Sequence, residues 1–294
     1  MHRHLPTFFA ATLAVFSLTA CAGTPPISRA TAVTMQPEQQ RYVAAAARAP
    51  TIRAASYLLV DANSGVPIVA HNADALRAVA STQKIITAMV VLDQGNLDKR
   101  VTIQSSDTQV EPTKLGIRAG ETYTRRQLLY AVLIKSANDV AKALARDVGG
   151  SQSNFAAMMN AKARSFGMKD SYFVNPHGLT ERGQRSTARD MGRAALMAYR
   201  SPVIRDAVKQ KYYTFAFANG RRATLENTNK LLSTMRECNG MKTGYTDAGG
   251  RCLISSAVSG GRAVILIQLG TKTKYIWDDG YTLMAWGLRV AGRG

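Results

Sequence analysis

Ser81-Thr82-Gln83-Lys84, Ser136-Ala137-Asn138 and Lys242-Thr243-Gly244 bring together the residue types that acyl transfer needs, in an order and spacing that suit it. A serine hydroxyl is a weak nucleophile until a base stands within hydrogen-bond reach, and a lysine three residues further along a helix shares its face. An amine buried at the start of such a helix tends to lose its proton, because desolvation and the positive helix end both disfavour the ammonium form. Ser81 is therefore the candidate nucleophile and Lys84 its base. Ser136 and Lys242 fit a second hydroxyl and a second cation that help carry the proton to the leaving nitrogen, and Asn138 fits a residue that holds Lys84 and the substrate amide. Thr243 and Gly244 on an edge strand would let a peptide pair with the backbone, the missing side chain of Gly244 leaving room for it. The backbone N–H groups of Ser81 and Tyr245 complete the set as an oxyanion hole.

Each motif alone has an ordinary explanation. A serine three residues before a lysine arises by chance about once in a chain of this length, and K-T-G in roughly one such chain in twenty. Ser136 and Asn138 could be turn residues, Lys84 and Lys242 solvated charges, Thr243 and Gly244 strand and turn filler. All three motifs occurring in this order is far less probable by chance than any one of them.

The elements around them are legible from periodicity and turn chemistry. Ser56 to Asp61 and Val66 to His71 are short apolar runs joined by Ala62-Asn63-Ser64-Gly65, which reads as a hairpin. Ile85 to Leu92 is apolar nearly all round and stops before Gly95, as a buried helix should. Arg126 to Lys135 predicts another helix, interrupted by Ser136-Ala137-Asn138 before one from Asp139 to about Asp147; Ser153 to Phe166 and Thr187 to Arg200 follow. Gly240 to Thr246, Arg251 to Val258 and Ala263 to Gly270 return to strands, and Ile276 to Val290 predicts a closing helix. Strands near both ends with helices between imply an α+β fold, an antiparallel sheet flanked by helices with a helical insert beside it and the site in the cleft between.

At 294 residues and 46% hydrophobic content the chain can build a sizeable core. His2, Arg3 and His4 precede an apolar run from Phe8 to Phe16 that is too short to span a bilayer and reads as an export signal over residues 1–20. Leu18-Thr19-Ala20-Cys21 resembles the lipobox of bacterial lipoproteins, which would lipidate Cys21 and anchor the mature chain at a membrane; ordinary cleavage near Ala20 or Ala22 is the competing reading. Residues 21–50 read as a tether rich in Ala, Thr and Pro, part of which, Pro37 to Arg48, could form a helix, and residues 51–294 as the catalytic domain. Cys238 and Cys252 remain as either a disulfide permitted by an oxidising compartment or two separate buried thiols. The net charge of +19 is scattered along the chain, which favours polyanions in general; an exported lipoprotein meets anionic lipids and wall polymers, and no nucleic-acid-binding signature accompanies the charge.

The trio resembles the S-x-x-K, S-D-N and K-T-G set of penicillin-binding proteins and class A β-lactamases. Ala80-Ser81-Thr82-Gln83-Lys84-Ile85-Ile86-Thr87, Ser136-Ala137-Asn138-Asp139, Phe173-Val174-Asn175-Pro176-His177-Gly178-Leu179, Ser186-Thr187-Ala188-Arg189-Asp190-Met191 and Met241-Lys242-Thr243-Gly244-Tyr245-Thr246 resemble the D-alanyl-D-alanine carboxypeptidase family of low-molecular-mass penicillin-binding proteins, over roughly Ala54 to Gly287. The resemblance implies a β-lactamase/transpeptidase-like fold and a serine peptidase without metal or cofactor. It further implies action on peptidoglycan stem peptides at D-Ala and covalent inhibition by β-lactams. Two features depart from the family. Ile276-Trp277-Asp278-Asp279 has no arginine where many relatives carry one just before the last helix to hold the substrate carboxylate, so Lys272, Lys274 or Thr243 would have to replace it, or the enzyme is a D,D-endopeptidase cutting cross-links. The chain also ends at Gly294 without the β-rich C-terminal domain and amphipathic anchor of many relatives, a role the lipid on Cys21 would take. A β-lactamase is the weaker alternative, because no E-x-x-x-N follows the second motif; a catalytically silent wall-binding lipoprotein is the other. Ala22, rather than aspartate, after the lipidated cysteine leans toward the outer membrane, on its periplasmic face.

Overall fold

A computed structural model describes residues 35–292 of the chain. The expected signal and Cys21 lie outside the described residues. In chain order the helices are α1 (Pro37–Ala46), α2 (Lys84–Asp93), α3 (Ser105–Thr108), α4 (Arg125–Ile134), α5 (Asn138–Gly149), α6 (Gln152–Ser165), α7 (Ala188–Arg200), α8 (Pro202–Val208), α9 (Leu231–Thr234) and α10 (Ile276–Ala291). The strands are β1 (Ser56–Asp61), β2 (Pro67–His71), β3 (Arg100–Thr102), β4 (Thr122–Thr124), β5 (Tyr212–Ala216), β6 (Arg222–Glu226), β7 (Cys238–Thr246), β8 (Gly250–Ser259) and β9 (Arg262–Thr271).

The main sheet runs β2-β1-β9-β8-β7 with antiparallel neighbours, so the first hairpin joins strands from the far end of the sequence. Alternate residues feed opposite faces, as the strand period requires. Leu58, Val60, Ile265 and Ile267 pack on the side of α2 and α7, while Leu59, Leu253, Val264 and Leu266 pack on the side of α10. Burying each of these side chains contributes about 1.5–3 kcal/mol against the exposed chain, and because helices cover both faces all six residues of β1 are buried rather than every second one. Close approach on both faces requires glycine where a helix crosses: a Cβ on Gly192 of α7 would stand 2.7 Å from Leu58, and one on Gly287 of α10 2.4 Å from Leu59.

The helical insert forms as the periodicity predicts, with local stop and start signals. Thr124 and Gln127 form a reciprocal capping box at the start of α4, Ser151 caps α6 and Thr187 caps α7. The fold is thus α+β, an antiparallel sheet with helices on both faces and a helical insert.

Residues 37–46 are helical, and α1 packs on the sheet beside β2, so the compact unit begins at Gln36 rather than at residue 51. The buried Tyr42 hydroxyl donates to Asp61 Oδ2 at 2.6 Å, while Asp61 Oδ1 accepts the N–H groups of Asn63 and Ser64 in the hairpin turn. Tyr42→Phe is expected to lower unfolding free energy by about 1.5–3 kcal/mol, the range for a hydrogen bond to a charged group. A urea midpoint unchanged from wild type would show that α1 is held by apolar contact alone.

The disulfide reading of Cys238 and Cys252 is corrected here: both thiols are free and buried. Strand register pairs Cys238 with Ala257 and Cys252 with Gly244, placing the two at opposite ends of the β7–β8 ladder. A disulfide needs Cα atoms within about 7 Å. Burial pushes both thiols up, that of Cys252 to about 11.

Candidate active site

Ser81 lies in a 3-10 turn, Ala80–Gln83, that runs directly into α2 at Lys84. Lys84 is fully buried. Its Nζ stands 2.7 Å from Ser81 Oγ, 2.7 Å from Asn138 Oδ1 and 2.6 Å from the His177 carbonyl oxygen. Asn138 is oriented by its own amide, whose Nδ2 donates to the Pro112 carbonyl, so its oxygen must face the lysine. Burial, reinforced by the charge of Lys242, holds the Lys84 ammonium well below its ordinary range, with Asp139 opposing.

These three oxygens fix the direction of proton flow. A neutral amine has two hydrogens and one lone pair. The asparagine and peptide carbonyl oxygens can only accept, so they take both hydrogens, and the lone pair is left to the one partner that carries a proton, the Ser81 hydroxyl. The arrangement therefore suits a neutral Lys84 drawing on the serine proton.

The segment Phe173 to Leu179, marked in the sequence by family resemblance alone, has a physical purpose in the structure. Asn175 Oδ1 accepts from the N–H groups of His177 and Gly178 and its Nδ2 donates to Leu179 O, a local turn that aims the His177 carbonyl at Lys84. Gln83 Nε2 donates to Asn175 O at 2.6 Å, tying the turn to the serine motif. Gly178 has φ +89, and a Cβ there would lie 2.2 Å from the Ala80 carbonyl oxygen. The His177 ring is held neutral, pushed down to about 3 by burial and by the nearby charges of Lys84 and Lys142.

Three of the six non-glycine residues with left-handed backbone among the described residues lie at the motifs. Ala80 (φ +48) precedes the nucleophile, Ser136 has φ +67, and Met241 (φ +98) precedes Lys242. Each costs on the order of 1–3 kcal/mol and persists only where surrounding contacts hold it.

A groove of about 460 Å³ is lined by Ser81, Ser136, Thr228, Thr243, Gly244 and Tyr245 among others. The Ser136 hydroxyl makes no hydrogen bond among the described residues, and Thr243 Oγ1 donates to Thr228 Oγ1 at 2.6 Å. Lys242 is fully buried, donates to the Thr243 carbonyl at 2.9 Å, and is pushed down to about 7 by burial. The purpose of Gly244 differs from the expected room for a peptide: its missing Cβ would meet Ser81 N at 2.8 Å and Thr82 N at 3.1 Å. Glycine there lets β7 lie directly against the serine turn.

Two contributors to the groove went unread in the sequence. The β5–β6 hairpin delivers Glu226, Asn227 and Thr228 to the wall, although an aromatic alternating run followed by Asn219-Gly220 is a legible hairpin signal. Arg251 also lines the groove, whereas the exposed Lys272 and Lys274 are not among its lining residues.

Comparison with known proteins agrees with this geometry. The family model described as D-alanyl-D-alanine carboxypeptidase matches residues 43–273. A D-alanyl-D-alanine carboxypeptidase of Mycobacterium tuberculosis is 32% identical over 81% of this chain and 83% of its own length. A D-alanyl-D-alanine endopeptidase of Escherichia coli is also 32% identical, over 87% of this chain and 84% of its own. The crystal structure of a D-alanyl-D-alanine carboxypeptidase from Mycobacterium tuberculosis superposes with a TM-score of 0.79 at 31% identity, covering 83% of this chain and 94% of that one. The DD-transpeptidase of a Streptomyces strain gives 0.78 at 31%, covering 82% and 99%. With the motif set, the sheet order and these matches in agreement, the chain belongs to the D-alanyl-D-alanine carboxypeptidase family of serine-type DD-peptidases.

Proposed function

We propose that the protein is a serine DD-carboxypeptidase that removes the terminal D-alanine from peptidoglycan stem peptides through an ester on Ser81. The observation that carries this reading is the buried Lys84 amine, 2.7 Å from the Ser81 hydroxyl and bounded otherwise by acceptor-only oxygens. Lys84 takes the hydroxyl proton as Ser81 Oγ attacks the carbonyl carbon of the penultimate D-alanine. The oxyanion so formed is held by the backbone N–H groups of Ser81 and Tyr245. Ser136, whose hydroxyl is unengaged in the groove wall, passes a proton to the leaving amine with Lys242 behind it. Water then attacks the ester by the reverse proton path and releases the shortened peptide. Thr243 and Gly244 on the edge strand β7 are placed for a peptide to extend the sheet.

A β-lactam is a strained amide that would acylate the same serine and block it. The cellular setting we favour is the periplasmic face of a bacterial membrane, reached by the signal at 1–20 and the lipid on Cys21. The deciding assay offers the purified protein a pentapeptide ending in D-alanyl-D-alanine and, separately, a cross-linked dimer. Release of free D-alanine from the pentapeptide is the expected result; cleavage of the dimer alone would make the enzyme a D,D-endopeptidase, the activity in the name of its relative in Escherichia coli.

A further inference from the structure

We propose that Arg251 holds the free carboxylate at the end of the substrate and so makes the enzyme prefer peptides that terminate there; the inference rests on the carboxypeptidase reading above. Strand register sets Arg251 of β8 opposite Tyr245 of β7. Paired residues share a face of the sheet, and Thr243, two residues before Tyr245, lies on that same face. All three line the groove that holds Ser81.

The side chain of Arg251 is fixed on one edge and free on the other. Its guanidinium lies over the Tyr245 ring, 4.4 Å from the centroid, and Nε donates to Thr273 Oγ1 at 3.0 Å. Neither contact uses the two terminal nitrogens, and among the described residues Arg251 forms no ion pair. A guanidinium stacked in a fixed plane with its fork unpaired is pre-organised for bidentate binding of a carboxylate. Ile276 and Trp277, which also stand in the groove wall, are apolar and offer no cation there. The strand supplies the cation from the neighbouring rung instead. The other groove cations, Lys135 and Lys230, share the wall with Ser136, Glu226 and Thr228.

The test uses a short N-acetylated peptide ending in D-alanyl-D-alanine and the same peptide as its C-terminal amide, with release of D-alanine or D-alaninamide followed for each. The full-length protein is expected to show kcat/KM higher on the acid by about 10- to 100-fold, the range of a charge-assisted hydrogen-bonded pair. Arg251→Leu should abolish that preference by lowering the acid rate while changing the amide rate less than about threefold. Arg251→Lys, which keeps the charge but loses the fork, should retain only part of it. Equal cleavage of acid and amide by wild type, or equal losses on both in Arg251→Leu, overturns the inference while leaving the carboxypeptidase reading intact. No cleavage of either peptide by wild type overturns both. The wild-type ratio and Arg251→Lys keep the question answerable should the leucine variant misfold.

Discussion

Ser81→Ala is expected to abolish covalent labelling by a β-lactam and to reduce D-alanine release by about 10⁴- to 10⁶-fold, the range seen when a serine enzyme loses its nucleophile. Intact mass after incubation with a labelled penicillin reads the first, and a coupled D-alanine assay reads the second. The substitution removes one oxygen from a half-buried position whose polar neighbours are the Lys84 amine at 2.7 Å and the His177 carbonyl oxygen at 3.3 Å. The fold should therefore survive, and a melting temperature near that of wild type is part of the expected result. An adduct of undiminished yield on the alanine variant would remove Ser81 from the mechanism and with it the proposed ester.

The second large effect concerns the base. Lys84→Met keeps length and burial but leaves Asn138 Oδ1 and the His177 carbonyl without their donor, and should slow acylation by about 10²- to 10⁴-fold. Lys84→Arg keeps a cation that stays charged at any accessible pH, so it should be equally inactive across the whole range. The sign of the pH dependence follows from the direction of the shift. Only the neutral amine accepts the serine proton; acylation is slow below the lowered Lys84 value, rises through it, and levels off well before pH 10.5. Where proton delivery by Lys242 is limiting, a falling limb should follow above about 7, where that buried ammonium loses its charge. Acylation that climbs only near the ordinary lysine value would show that Lys84 acts as a charged group and not as a base.

Most of the architecture was legible because it is written in local pattern. The apolar run Ile85 to Leu92, the turn at Ala62 to Gly65, and the alternation of apolar runs with Gly-rich breaks after residue 240 each report a short-range preference that the folded chain keeps. The nucleophile and its base are three residues apart, so the helix alone brings them together. Asn138 is different: it comes from a separate helix start, and only the packing of α5 against α2 presents its oxygen to the lysine.

What the sequence determined by itself was the chemical inventory and the period of each element, since those depend on neighbours a few residues away. What the tertiary structure decided was everything set by register and close approach. Strand pairing separated Cys238 from Cys252 and put Arg251 beside Tyr245, because a ladder fixes which residues face one another and one-dimensional spacing does not. The turn at Asn175 pointed a backbone carbonyl at Lys84, and backbone groups carry no mark in the sequence. Burial then did the electrostatic work: the same two lysines that would be ordinary cations in water lose their hold on the proton once both are enclosed, a change made by the surrounding core rather than by the residues themselves.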